Sequence, residues 1–330
     1  MKSRSVIKLF LFLVGSLSFS RVNAKVLFID IEKEQDSLQT SIQANENKKV
    51  HVINNADKIF KSCNAIDTIV SRRGKGNRAI INRLEKEIDF LSTELLKPIK
   101  ELVLNYETIN VKISESSIKI PFEFLRINNE FLYRTKSIIY SYNKLQSDVF
   151  PKVDLNNGFI ITDLTADPEN ACNSINEKYK NSYFNYIENV NIDSIKKAKD
   201  FDFLLMSVHG IIDINSCRGY INIKNEKLYP STFSQKNLKL VYFDSCHLGK
   251  AKNFIDRFHS LGAQYYLGPI ISNEAGNSST KTILTFFNFL EDNNPVVSLM
   301  KTKQALRKYS NNNILVELWF AAPFRIYKLN

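Results

Sequence analysis

The chain has 330 residues, 45 of them basic and 34 acidic, for a formal charge of +11, with 44% hydrophobic residues, ten glycines, eight prolines and four cysteines. It is too apolar for a disordered chain, too poor in glycine for a collagen and too poor in cysteine for a disulfide scaffold, which leaves a packed protein of one or two domains. With ten glycines in 330 residues, well under the usual share of about 7%, each glycine is expected where the backbone needs one.

Residues 1–24 read as a signal peptide. Lys2, Arg4 and Lys8 make a basic start, an apolar core follows, and Val22-Asn23-Ala24 offers small residues at the positions a signal peptidase reads, so cleavage before Lys25 and export to a periplasmic or extracellular space are expected. The lysine-free apolar run Leu9–Phe19 is 11 residues, short of the roughly 20 a membrane span needs. Loss of this segment removes Lys2, Arg4, Lys8 and Arg21 and no acid, leaving +7. The remaining lysines scatter among Asn, Glu and Ser with no basic helix carrying interleaved aromatics. No nucleic-acid partner and no stable membrane insertion are therefore expected.

Residues 25–78 are polar and Asn/Lys-rich, with one amphipathic stretch near Val52–Val70 and a basic loop, Ser71-Arg72-Arg73-Gly74-Lys75-Gly76-Asn77-Arg78. Residues 79–330 are expected to form the main domain, in two halves, 79–157 and 158–330. From Ile80, apolar residues at Leu84, Ile88, Leu91, Leu95, Ile99 and Leu102 mark one helical face, kinked or divided at Pro98. The period then becomes two: Ile109, Val111 and Ile113, a turn at Ser114–Ser117, and Ile118 and Ile120 predict a hairpin. Short strands are expected at Phe131–Tyr133 and Ile138–Tyr142.

From Gly158 strands and helices alternate. Strands are expected at Phe159–Thr162, Tyr183–Ile187, Phe203–Val208, Leu238–Phe243 and Gln264–Leu267, the third and fourth being continuous apolar runs of the buried parallel kind. Helices are expected at Pro168–Tyr179 and Ile192–Lys199, over the face Phe254, Ile255, Phe258 and Leu261 stopped by Gly262, after an Asn277-Ser278-Ser279 capping cluster, and from Pro295. Leu318–Ala322 reads as a last strand. The order implies an α/β protein: a three-layer α/β/α sandwich on a mostly parallel sheet, preceded by a helical and hairpin N-terminal region.

Two buried strands end in reactive residues: Phe203–Val208 in His209-Gly210, and Leu238–Phe243 in Asp244-Ser245-Cys246-His247-Leu248-Gly249. Ligands bind at the C-terminal ends of parallel strands, so neighbouring strands would deliver an imidazole and a thiol to one edge. An imidazole makes a thiol a competent nucleophile and returns its proton to a leaving amine. Glycine after the histidine lets a backbone N–H approach a substrate carbonyl. His247 is expected on the opposite face of its strand and His259 sits mid-helix; both read as structural or surface residues. Cys63, Cys172, Cys217 and Cys246 show no zinc-ligand spacing, and the pairing of the four is open. With no phosphate loop and no EF-hand run, no cofactor and no metal are implied.

Ser207-Val208-His209-Gly210, followed 37 residues after the histidine by Cys246 at the end of an apolar block, resembles the signature order of the caspase-like cysteine peptidases, and of their CHAT branch in particular. Leu95-Leu96-Lys97-Pro98-Ile99, Ile120-Pro121-Phe122-Glu123-Phe124-Leu125, Ser137-Ile138-Ile139-Tyr140, Leu261-Gly262-Ala263 and Trp319-Phe320-Ala321-Ala322 extend the resemblance over residues 84–328. It implies a caspase-like fold and peptide-bond hydrolysis through a thioester, with Cys246 as nucleophile, His209 as general base and acid, and the Gly210 and Cys246 amides as oxyanion hole. The chain departs from the CHAT pattern at the cysteine, where Asp244-Ser245-Cys246 replaces the common Ser-Ala-Cys. An Asp at this place resembles the clostripain-like relatives, where it lines the pocket for the residue before the scissile bond.

Residues two apart on a strand share a face, which would set Asp244 beside Cys246 and favour substrates with Arg or Lys. An enzyme of that preference could also cut its own basic loop; a plain solvated loop is the simpler expectation. A non-catalytic module with residues 25–78 as a docking segment, and a transpeptidase using the same thiol, are the competing readings. The partner expected is a protein or peptide substrate; the sequence does not disclose whether there is an activating partner.

Overall fold

A computed structural model describes residues 26–44, 47–72, 76–145, 150–223, 226–273 and 275–330; the expected signal peptide lies outside them. Eleven strands form one sheet: β1 (Val26–Glu34), β2 (Ser37–Ala44), β3 (Asn47–Asn54), β4 (Thr108–Lys112), β5 (Ser137–Ser141), β6 (Gly158–Thr162), β7 (Tyr183–Tyr186), β8 (Phe203–Ser207), β9 (Leu240–Asp244), β10 (Tyr265–Pro269) and β11 (Phe324–Lys328). Across the sheet they run β3-β2-β1-β4-β5-β11-β10-β9-β8-β6-β7. All neighbours are parallel except β1–β2, β2–β3 and β10–β11.

Strand alternation sorts the side chains into two cores. Leu204, Met206, Val241, Phe243 and Tyr266 face one core, packed under α1 (Ala56–Val70), α2 (Arg78–Leu96), α5 (Lys252–Ser260) and α8 (Ile314–Ala321). Phe203, Leu205, Leu240, Tyr242 and Tyr265 face the other, under α4 (Ala171–Lys178), α6 (Ser278–Leu290) and α7 (Pro295–Leu306). The result is the three-layer α/β architecture expected. No helix among the described residues is long and apolar enough to cross a membrane.

Several local readings are corrected. The polar N-terminal segment supplies β1, β2 and β3 to the main sheet: Leu27, Ile29 and Ile31 are fully buried, and β1 pairs in parallel with β4. The expected hairpin over Ile109–Ile120 is instead β4 followed by α3 (Glu115–Lys119). Ser114 and Ser117 form a reciprocal capping box, which starts a helix where the Ser cluster suggested a turn. At Phe131–Tyr133 only Glu130–Phe131 is extended, and Leu132–Thr135 turns helical. Residues 318–321 belong to α8, begun at Leu315 and Val316 by the Asn313 side-chain cap, and Ala322 is the residue that ends it; the last strand is the next segment, β11. Pro98 does divide the helix after α2, in a short 3-10 turn over Lys97–Ile99. Gly262, at φ +80, ends the α5 region as expected.

Candidate active site

Three adjacent parallel strands, β6, β8 and β9, bring their C-terminal ends to one edge, and β10 lies beside β9. The residues just beyond those ends build a small cavity of about 40 Å³ lined by Ala166, Val208, His209, Asp244, Cys246, Asn273 and Ala275. All three polar residues singled out from the sequence thus meet in one pocket. The space has room for only a few waters and is too small for a whole arginine side chain.

The glycine after His209 has a steric reason. A Cβ on Gly210 would stand 2.7 Å from the Cys246 carbonyl oxygen, so only glycine lets the two strand ends approach this closely. Gly249 meets the same constraint: its Cβ would lie 2.2 Å from the Gly268 carbonyl oxygen on β10. Residues Gly210–Asp213 pair antiparallel with Arg218–Ile223 in a small second sheet. The Asn222 N–H donates to the His209 carbonyl at 3.1 Å. Alternate pairs of such a ladder are bonded, so the Gly210–Ile221 pair is a non-bonded one and the Gly210 N–H points out of the ladder. The Cys246 N–H has no acceptor among the described residues.

His209 is exposed, and its Nε2 lies 2.8 Å from Thr165 Oγ1. The Thr165 hydroxyl and N–H both donate to Asp163 Oδ1, at 2.6 and 2.8 Å. With its hydrogen on Asp163, Thr165 accepts from Nε2–H, a tautomer that leaves Nδ1 as the proton acceptor. The sequence reading missed Asp163 and Thr165. Their signal is an Asp-x-Thr turn directly after the buried strand β6, which only the strand order places beside β8.

Cys246 is not a strand residue. β9 ends at Asp244, Cys246 sits in the following turn, and His247 adopts left-handed backbone at φ 61. Cys246 therefore does not share a strand face with Asp244, although the turn brings both to the pocket. Cys246 Sγ is 3.4 Å from Ser272 Oγ and 3.6 Å from Asn273 Oδ1, and it is the one partly exposed cysteine. Cys63, Cys172 and Cys217 are buried free thiols. Burial pushes the Cys63 thiol up to about 12 and also raises Cys172 and Cys217, which keeps those three protonated and unreactive.

Asp244 is buried and hydrogen-bonded on both oxygens. Asn273 Nδ2 donates to Oδ1 at 2.6 Å, Ser207 Oγ donates to Oδ2 at 2.8 Å, and Ser279 Oγ also donates to Oδ2. Burial pushes this carboxyl up to about 6, opposed by the Ser279, Ser207 and Asn273 hydrogen bonds and reinforced by the nearby Asp167 carboxylate. Ser279, read from the sequence as part of a helix cap, is thus spent on Asp244, and the Asn277 side chain makes no capping bond. Among the described residues no group of three or more His, Cys, Asp and Glu side chains could hold a metal ion. No protein-family model matches this sequence, and no curated protein matches it.

Proposed function

We propose that the chain is an exported cysteine endopeptidase of the caspase-like, CHAT-related kind, cleaving after Arg or Lys. The observation that carries this reading is the meeting of His209, Cys246 and Asp244 in one pocket at the C-terminal edge of adjacent parallel strands. Of the four cysteines, only Cys246 is open to solvent.

His209 Nδ1 takes the thiol proton and the thiolate attacks the substrate carbonyl. The Gly210 and Cys246 amides receive the oxyanion. Collapse of the tetrahedral adduct forms the thioester, and His209 returns its proton to the departing amine. Water, activated by the same imidazole, then hydrolyses the thioester and frees the thiol. For a substrate guanidinium or ammonium to reach the Asp244 carboxylate, the Asn273 amide must swing away and widen the small pocket, exchanging a neutral donor for a charged one.

Labelling with an Arg-ended peptidyl electrophile tests the reading. Covalent addition is expected in the wild type, none in Cys246→Ala, and a rate at least about a hundredfold lower in His209→Ala, the scale of a lost general base. Absence of wild-type labelling would return the chain to a non-catalytic binding module. Aminolysis products in place of hydrolysis would make it a transpeptidase. Equal turnover of Arg-ended peptides by wild type and Asp244→Asn would remove the specificity assignment and leave the dyad standing.

A further inference from the structure

The turn carrying Cys246 continues through His247 into a short helical turn, Leu248–Lys250. Lys250 is 5% exposed, and its ammonium stands 2.6 Å from Oδ2 of Asp67, a buried carboxylate near the C-terminal end of α1. His247 Nδ1 lies 3.8 Å from the same oxygen. Burial pushes the Asp67 carboxyl up, but the Lys250 ammonium, with His247 and the hydrogen bonds from Lys250 and Ser71, outweighs it and holds the group below the usual carboxylate range. Asp67 is therefore a fixed anion under the segment that follows the thiol.

The other wall of the pocket is tied to the same helix end. Ser71, the residue that ends α1, donates from Oγ to Asp67 Oδ1 at 3.1 Å and accepts from the Ser272 N–H at 3.2 Å. Ser272 supplies the hydroxyl 3.4 Å from Cys246 Sγ. The His247 N–H donates to the Ile271 carbonyl at 3.1 Å, joining the two walls directly. One turn of α1 thus holds both segments that enclose the thiol. A buried ion pair contributes little stability over an apolar pair of the same size. Its effect here is geometric, because it fixes a turn with a left-handed residue in it.

We propose that Asp67 and Ser71 are positioning residues for Cys246, so that the N-terminal α1 is a working part of the catalytic unit. Asp67 acts on the nucleophile turn through Lys250, and Ser71 acts on the Ser272 wall. This role rests on the reading of Cys246 as nucleophile, yet the clamp itself can be measured on the thiol without any peptide substrate.

The test compares wild type, Ser71→Ala, Ser71→Thr, Asp67→Asn and the paired Asp67→Leu/Lys250→Met. Each is assayed for the alkylation rate of Cys246 by iodoacetamide and for kcat and KM on an Arg-ended fluorogenic peptide. Ser71→Ala and Asp67→Asn are expected to alkylate at least about threefold more slowly and to lose about tenfold in kcat with KM within about twofold, the scale of a misplaced reacting group. Ser71→Thr, which keeps the hydroxyl, restores both values. The paired apolar variant keeps the fold and still loses kcat. Rates within about twofold of wild type in folded Ser71→Ala and Asp67→Asn overturn the proposal, as does a Ser71→Thr no better than Ser71→Ala. Should Asp67→Asn fail to fold, the two Ser71 variants decide. Should the wild type turn over no peptide, the peptidase reading fails, and the alkylation rates alone still decide the clamp.

Discussion

In the proposed peptidase, Asp244 concentrates the chemistry of specificity into one titratable group. Its carboxyl, pushed up to about 6 by burial, is neutral in acid and ionised at neutral pH. Because the folded value lies above the ordinary one, the stability this group contributes is fully present below about pH 4 and is lost as pH rises through about 6. Binding of a cation runs the other way, since only the carboxylate attracts it. Benzamidine offered to Cys246→Ala, which removes the thiol chemistry from the measurement, is expected to bind about tenfold more weakly for each pH unit below about 6. Asp244→Asn flattens that dependence. A wild-type profile flat from pH 7 to 5, or one that survives Asp244→Asn, would show that cations do not reach this carboxylate. Asp244, His209 and Cys246 were legible in the sequence because each stands at the end of a buried apolar run. Asp163, Thr165, Ser272 and Asp67 were not, because they reach the site only through strand order and helix docking, which no local period encodes.

Among the elements, the three N-terminal strands and α1 bear most on what the chain can lose. β1 buries Leu27, Ile29 and Ile31, β2 buries Leu38 and Ile42, and α1 buries Ile59, Ile66 and Val70 against the same core. Each fully buried aliphatic side chain contributes roughly 1.5–3 kcal/mol, so the loss of these eight is comparable to or larger than the 5–15 kcal/mol by which a typical domain is stable. A chain beginning at Arg78 is therefore expected to be insoluble or molten. A chain nicked between Arg72 and Arg78 is expected to keep both pieces together through size-exclusion chromatography under native conditions. Separation of the pieces, or a well-folded truncated chain by near-UV circular dichroism, would contradict this. The polar surface of residues 25–54 concealed these strands. Most of their outward positions carry Lys, Glu, Gln, Ser or Asn, Val50 and Val52 are exposed, and the alternating Leu and Ile of the first two strands mark the buried face. The Leu318–Ala322 segment misled in the opposite sense: an all-apolar run reads as a strand, whereas the Asn313 cap and burial on several sides make it a helix as far as Ala321.

The whole molecule is held by one sheet and two cores, with no covalent cross-link among its cysteines. Cys172 belongs to the core on one face of the sheet, and Cys63 and Cys217 to the core on the other, so the sheet itself separates Cys172 from both. An oxidising compartment joins only cysteines that can meet, and export of this chain would leave that separation in place. Burial also raises the thiol pKa at Cys63, Cys172 and Cys217, which removes the thiolate a disulfide reagent needs. Titration of the unreduced native protein with a thiolate-selective chromogenic disulfide is therefore expected to show about one fast thiol, absent in Cys246→Ala, and all four cysteines after unfolding in guanidinium. Fewer than four on unfolding would reveal a bridge, and one joining Cys172 to Cys63 or Cys217 would require the two cores to be packed differently. A second fast thiol in the native state would mean that a core opens on the timescale of the reaction, and the case for Cys246 as the single accessible nucleophile would fall with it.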